Sequence, residues 1–283
     1  MNYFKRNLEE SRDDEFDNWG KSTFFLETDD LGYPNRQIEQ YQNGVVLKYD
    51  KEKAHDEFGM LGDQKIDLDE FAPFQITNEQ FSKEWNTKTQ AFVVSQSLGI
   101  LFQDSQFEDW WESIPKQVPL LNETLKFTFM DLIPEGDNQY LEDADAALQN
   151  FLAKDESDRN QISELTYQHC LDFLNAVDYG DEDGTLRNLK DRNDIWDYVY
   201  PKEILVARRD RRDEDIYINI SCECEWEKEH GLQLVFRQGK RLTRISEQDG
   251  HLTEADAYDK PDKEDKLLNQ FNKAEKGRPW WKF

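Results

Sequence analysis

The segment from Ile216 to Trp226 limits the fold more than any other. Ile216, Ile218, Ile220, Cys222, Cys224 and Trp226 recur at a period of two, separated by Tyr217, Asn219, Ser221, Glu223 and Glu225. Only an extended chain places every second side chain on one face; a helix would scatter them in 100° steps. The spacing predicts a half-buried strand with one apolar and one polar face. EKEHG (227–231) then turns the chain, and Leu232, Leu234 and Phe236 resume the alternation. RQGKR (237–241) turns it again before LTRIS, so a three-stranded antiparallel meander is expected.

Both cysteines of this strand share their face with three isoleucines and a tryptophan, where a thiol serves as a small hydrophobe. C-x-C followed by His230 matches no standard structural zinc spacing, and no C-x-x-C redox pair is present. No metal and no cofactor are expected. DYGDEDGTL (178–186) fails as a calcium loop, because Gly180 and Leu189 stand where an EF-hand requires acids. His169 and Cys170 are adjacent on a helical stripe and point about 100° apart, which makes them core or boundary residues and poor co-ligands. The turn Glu229-His230-Gly231-Leu232 places an imidazole beside Glu227 and Glu229, and reads as a turn histidine that hydrogen-bonds the neighbouring loop.

Upstream, STFFLETDDLGYPNRQIEQYQNGVVLKYD alternates through three strand-like runs separated by DDLGYP and Asn43-Gly44. Thr77 and Gln80 fit a capping box that opens a helix carrying Phe81 and Trp85 on one face. AFVVSQSLGILF reads as a strand, FEDWWESI as a short helix or turn, and ETLKFTFMDLI as a half-buried strand through Leu125, Phe127 and Phe129. Two helices follow. Leu141, Ala144, Leu148, Phe151 and Leu152 form the stripe of the first. Ile162, Leu165, Thr166, His169, Cys170, Phe173, Leu174 and Val177 form that of the second.

An α+β protein of two modules is therefore expected. The first, 1–90, is a small antiparallel sheet with a closing helix. The second, 91–260, is an antiparallel sheet packed with two or three helices. A tail, 261–283, ends in Trp280, Trp281 and Phe283, which are expected to dock on the protein or on a second copy.

Charge bears on function. The chain carries 61 acidic and 35 basic residues, a net −26. Phosphate-bearing partners are repelled by such a surface, which argues against nucleic acid and against anionic membrane. The acid is concentrated: residues 91–197 hold 23 acids against 7 bases, a balance of −16, whereas residues 198–283 are near neutral. Asp137, Glu142, Asp143 and Asp145 surround the start of one helix, and Asp181, Glu182 and Asp183 crowd a glycine-flanked loop. These seven are the predicted partner-binding residues. No serine or cysteine nucleophile, glycine-rich phosphate loop or HExxH motif is apparent, so a non-enzymatic protein is expected. The sparse, odd set of three cysteines fits a reducing compartment. The opening MNYFKRNLEESRDDEFD lacks the apolar core of a secretory leader, and no run is long enough to span a bilayer. A cytoplasmic location is expected.

The stretch YPKEILV…IYINISCECEWEKEHGLQLVFRQGKRLTRISEQDGHLTEADAYD resembles an uncharacterised bacterial domain family. Its hallmark is an acidic-Trp-x-x-Glu-His-Gly-Leu hairpin followed by an apolar strand, a glycine turn and a late Asp-Gly-His. Here those positions are Glu225, Trp226, Glu229, His230, Gly231, Leu232, Gly239, Asp249, Gly250 and His251, and the resemblance covers roughly residues 97–260. The N-terminal segment is similar to another small bacterial β-rich module ending in a Phe-x-x-x-Trp helix. Modules of both kinds look like those encoded beside polymorphic or contact-dependent toxins. The resemblance thus implies an immunity protein that binds and neutralises a cognate basic toxin, such as a nuclease. It supplies no catalytic residue. The alternative is a small enzyme or ligand-binding module using the His230 and His251 turns.

Overall fold

The computed structural model describes residues 1–177 and 184–270. The chain divides into two compact units, Met1–Ala91 and Phe92–Phe283, and is α+β as expected.

In the first unit, β1 (Asn2–Leu8), β2 (Ser22–Thr28), β3 (Pro34–Tyr41) and β4 (Val46–Asp50) pair in chain order, all antiparallel. After a short helix α1 (Leu68–Phe71), α2 (Asn78–Asn86) starts at the Thr77–Gln80 capping box. It seats Phe81 against Phe25 and Ile38. Phe81 and Trp85 stack at 6.1 Å, and the Arg36 guanidinium lies 5.0 Å from each ring while pairing with Glu27. The opposite sheet face buries Trp19, Tyr41 and Glu39. Strand β1 has no counterpart in the sequence reading, since Lys5 and Arg6 mask the alternation of Phe4 and Leu8.

The second unit holds one nine-stranded sheet. Its strands are β5 (Phe92–Ser95), β6 (Gly99–Gln103), β7 (Trp111–Ser113), β8 (Lys116–Val118), β9 (Glu123–Phe129), β10 (Val199–Arg208), β11 (Ile216–Cys224), β12 (Leu232–Arg237) and β13 (Arg241–Ser246). Their order is β13-β12-β11-β10-β9-β7-β6-β5, with β8 on β9. Every pairing is antiparallel except β9 with β10. Between those two strands run α3 (Asn138–Leu152), α4 (Glu156–Ala176), a short α5 (Gly184–Arg187) and a 3₁₀ turn, Arg192–Tyr198. Ala144, Leu148 and Phe151 of α3 and Cys170 and Leu174 of α4 share a core with Ile218, Ile220, Leu234 and Phe236.

Four local readings change. AFVVSQSLGILF is a hairpin and not one strand, because Gly99 turns it at φ +84°. FEDWWESI yields a turn and then β7, with buried Trp111 donating its indole N–H to the Leu132 carbonyl at 2.9 Å. Leu165 of α4 and Val177 just past its end are 42% and 44% exposed. Thr166, Cys170 and Leu174 of the expected stripe are buried, and Ser163 and Tyr167 beside them, whose hydroxyls also find partners, widen that face on the side opposite Leu165. Finally, β11 is buried on both faces: Tyr217, Asn219 and Ser221 are covered as well as the isoleucines. Beyond β13, Thr253, Ala255 of the short α6 (Glu254–Ala257), Asp265 and Leu268 are themselves buried, and Thr253 and Asp256 accept from Arg209. No helix of the described residues is long and apolar enough to cross a membrane. Trp280, Trp281 and Phe283 lie outside the described residues.

Candidate functional site

Two regions of the second unit gather chemistry. One is acidic and begins at the N-terminus of α3. Asp137 caps the helix, accepting the Tyr140 N–H at 3.0 Å, and also pairs with Arg208. Asp143 accepts from the other Arg208 terminal nitrogen at 3.2 Å, and Glu142 is exposed. Asp145 corrects the sequence expectation. It is 5% exposed, and its carboxylate accepts the Ser95 hydroxyl and the backbone N–H groups of Gln96 and Ser97. It pins α3 to the β5–β6 turn and offers nothing to a partner. Asp181, Glu182 and Asp183 lie outside the described residues.

Beside Asp143 opens a cavity of about 220 Å³. Ala146, Ala147 and Ile216 supply apolar wall; Asp143, Glu214 and Asp215 bring three carboxylates and Lys240 one amine. Asp215 is tied to Arg237 and Gln238 at 2.5 and 2.6 Å, whereas Glu214 is exposed on a left-handed backbone, φ +56°. Gly239 closes one side at φ +65°, where a Cβ would stand 2.0 Å from the Ala147 carbonyl oxygen. The sequence reading missed Glu214 and Asp215 because RRDRRDED balances its own charge. In the fold, Arg208, Arg209 and Arg212 bend into ion pairs, and Arg209 is 3% exposed between Asp213, Asp256 and Asp262. Three of the segment's four arginines are taken up in internal ion pairs, a redistribution no composition count can show.

The other region is a corner where the β11–β12 turn meets the turn after β13. Glu227, 7% exposed, accepts the N–H groups of Glu229 and His230 at 2.8 and 3.1 Å, which shapes the turn. Gly231 sits at φ +64°; a Cβ there would meet the Cys222 carbonyl oxygen at 2.4 Å and the Gln248 amide nitrogen at 2.6 Å. Gln248 staples the two turns, donating to the Cys222 and His230 carbonyls and accepting from Ser221. His230 Nδ1 lies 3.7 Å from Glu227, and His251 Nδ1 lies 3.2 Å from Asp249. Each imidazole faces the acid of its own turn, and both are exposed. Beneath them the thiols are inert. Cys222 is 0% and Cys224 3% exposed, and burial pushes Cys222 well above the ordinary thiol range and Cys224 up to about 11. His169 packs edge-on against Trp226 at 6.5 Å, and burial lowers its pKa, so it stays neutral.

Comparison with family models places residues 101–252 within a single match, the domain of unknown function DUF6985. That span is more than half of the chain. The protein belongs to the DUF6985 family. No curated protein and no solved structure matches. The DUF6985 span starts within β6 and ends just after His251, so it contains α3, the acidic cavity and both turns of the corner. The four-stranded N-terminal unit lies outside it.

Chemically, the acidic region can receive a cationic side chain: an apolar wall for the stem, carboxylates for the head. The corner offers one imidazole and two carboxylates, Glu227, His230 and Glu247, close enough to share an ion.

Proposed function

We propose that this DUF6985 protein is an inhibitor of the immunity type, which binds a cognate basic protein toxin in the cytoplasm and blocks it with its acidic surface. A nuclease fits best, because the groove by which such an enzyme holds phosphate would meet carboxylates in its place. The observation that carries the reading is the cavity lined by Asp143, Glu214 and Asp215, which joins the acidic start of α3 to the β10–β11 turn. Its dimensions and lining suit one lysine or arginine side chain of the partner. The net charge of −26 supports the same reading. Complementary fields would steer encounter, at rates up to about 10⁸–10⁹ M⁻¹s⁻¹ in low salt. The imidazoles of His230 and His251, each facing a carboxylate of its own turn, speak for a structural role there before a catalytic one.

The test is binding to the basic protein encoded in the adjacent reading frame, measured at two salt concentrations. Glu142→Gln with Glu214→Gln, and separately Asp181, Glu182 and Asp183 to Asn, Gln and Asn, are compared with the parent. Slower association and a shallower salt dependence are expected. Parental affinity and salt dependence in both variants would remove the acidic surface from the mechanism.

A further inference from the structure

We infer that Glu227, His230 and Glu247 form a binding site for one divalent transition ion, with Zn²⁺ the best fit. The inference does not rest on the toxin-binding reading. Among the described residues these three are the one group of imidazole, thiol and carboxylate side chains whose ligand atoms all lie within 4.8 Å of one another. The 3.7 Å from His230 Nδ1 to Glu227 Oε1 is too long for a hydrogen bond. Two ligands each about 2.0–2.2 Å from a common ion stand about 3.3–4 Å apart, which that separation meets.

Charge points the same way. Neither Glu227 nor Glu247 has a lysine or arginine partner among the described residues, although Glu227 is nearly buried. Elsewhere this chain either pairs a sequestered acid with arginine, as Glu27 with Arg36, or saturates it with hydrogen-bond donors from both sides, as Asp145 and Glu39; the two donors of Glu227 both fall on Oε1. Two carboxylates and an imidazole at one spot, with no basic side chain between them, favour a cation.

The ligands are also held on fixed supports. Glu227 is locked by the two backbone N–H groups it accepts, and Glu247 directly precedes Gln248, the residue that staples one turn to the other. His230 and Glu247 are exposed, which leaves their side chains room to close onto an ion. One nitrogen and two oxygens suit Zn²⁺ and its first-row neighbours, whereas Ca²⁺ and Mg²⁺ favour shells of oxygen alone. The remaining positions would be filled by water.

The experiment is calorimetric titration of the full chain with Zn²⁺ in millimolar Mg²⁺, which saturates diffuse binding to the acidic surface. Imidazole ¹H–¹⁵N spectra are followed in parallel. One site per chain is expected, weakened at least tenfold in His230→Gln and in Glu247→Gln, with the His230 resonances moving and those of His55, His169 and His251 unmoved. Both replaced side chains are exposed, and matching melting curves would confirm intact folds. Absence of saturable binding in excess Mg²⁺, undiminished binding in the double variant, or movement of a different histidine would overturn the inference.

Discussion

The Ser95 hydroxyl donates to the Asp145 carboxylate at 2.5 Å, and both side chains are buried. The same carboxylate takes the Gln96 and Ser97 N–H groups at 2.9 Å each, so one acid on α3 satisfies three donors of the β5–β6 turn. Asp145→Ala would leave those donors without a partner. A loss of about 3 kcal/mol or more is expected in urea unfolding, since hydrogen bonds to a charged group contribute about 1.5–3 kcal/mol each. A change below about 1 kcal/mol would mean that water replaces the carboxylate without penalty.

Gly239 and Gly99 share a left-handed backbone and differ in surroundings. A Cβ on Gly239 would collide with backbone atoms of α3 at 2.0 and 2.8 Å, whereas one on Gly99 meets nothing within 4 Å. Gly99→Ala should cost only the conformational term, about 1–2 kcal/mol. Gly239→Ala should cost well over about 3 kcal/mol, because α3 and the β12–β13 turn must separate. Equal losses in thermal or urea melts would contradict the close approach.

Arg209, 3% exposed, bonds Asp213, Asp256, Asp262 and Thr253. Arg209→Met takes one arginine from each of three carboxylates, which keep Arg212 (Asp256, Asp262) or Arg237 (Asp213), and is expected to cost less than the roughly 3–5 kcal/mol of a buried charge left unpaired. Asp262 supplies the pH signature. Its hydrogen bonds with Arg209 hold its carboxyl below the ordinary carboxylate range. The folded-state value lies below the unfolded one, so the stabilisation is complete above the unfolded pKa and is lost as pH falls through the folded pKa. Urea midpoints should decline from pH 6 towards pH 3, and Asp262→Asn should flatten that decline.

Glu39 has the opposite sign. Burial raises its carboxyl above the ordinary range, against the donations of Tyr41 and Gln37. Its folded pKa exceeds the unfolded one, so its contribution weakens as pH rises between the two values. Glu39→Gln should remove that component from the pH dependence. An identical pH profile in the variant would show that the folded state does not perturb Glu39.

The three thiols give a kinetic readout. Cys170, Cys222 and Cys224 are buried and form no disulfide. A thiol raised to about 11, as Cys224 is, holds little thiolate at pH 8. A disulfide reagent should therefore react slowly with the native protein and with all three thiols after denaturation. Rapid stoichiometric labelling of native protein would place a thiol at the surface.

What the sequence made legible was local. The alternation from Ile216, the Thr77–Gln80 box and the stripe through Ala144, Leu148 and Phe151 each depend on neighbours a few residues apart, and each stands in the structure. The losses were distant. Asp145 reads as one more surface acid because its donors arrive from fifty residues upstream. Tyr217 and Asn219 read as a solvent face because nothing nearby announces the cover beyond residue 249. Glu214 and Asp215 were hidden by arginines that the fold turns inward. The His230 turn was visible as a turn, but Glu247 completes its cluster only because Gln248 joins two hairpin ends.

The lone parallel pairing has a kinetic consequence. On either side of it, β5 to β9 and β10 to β13 are ladders of near neighbours, which can zip from their own turns. Joining β9 to β10 requires that about 70 residues, α3 and α4 among them, first close as one long loop. Closure on that scale is slow beside hairpin formation. The seam between Phe127 and Ile204 should therefore be the step that paces folding, with two half-sheets waiting on a helical excursion to bring their edges together.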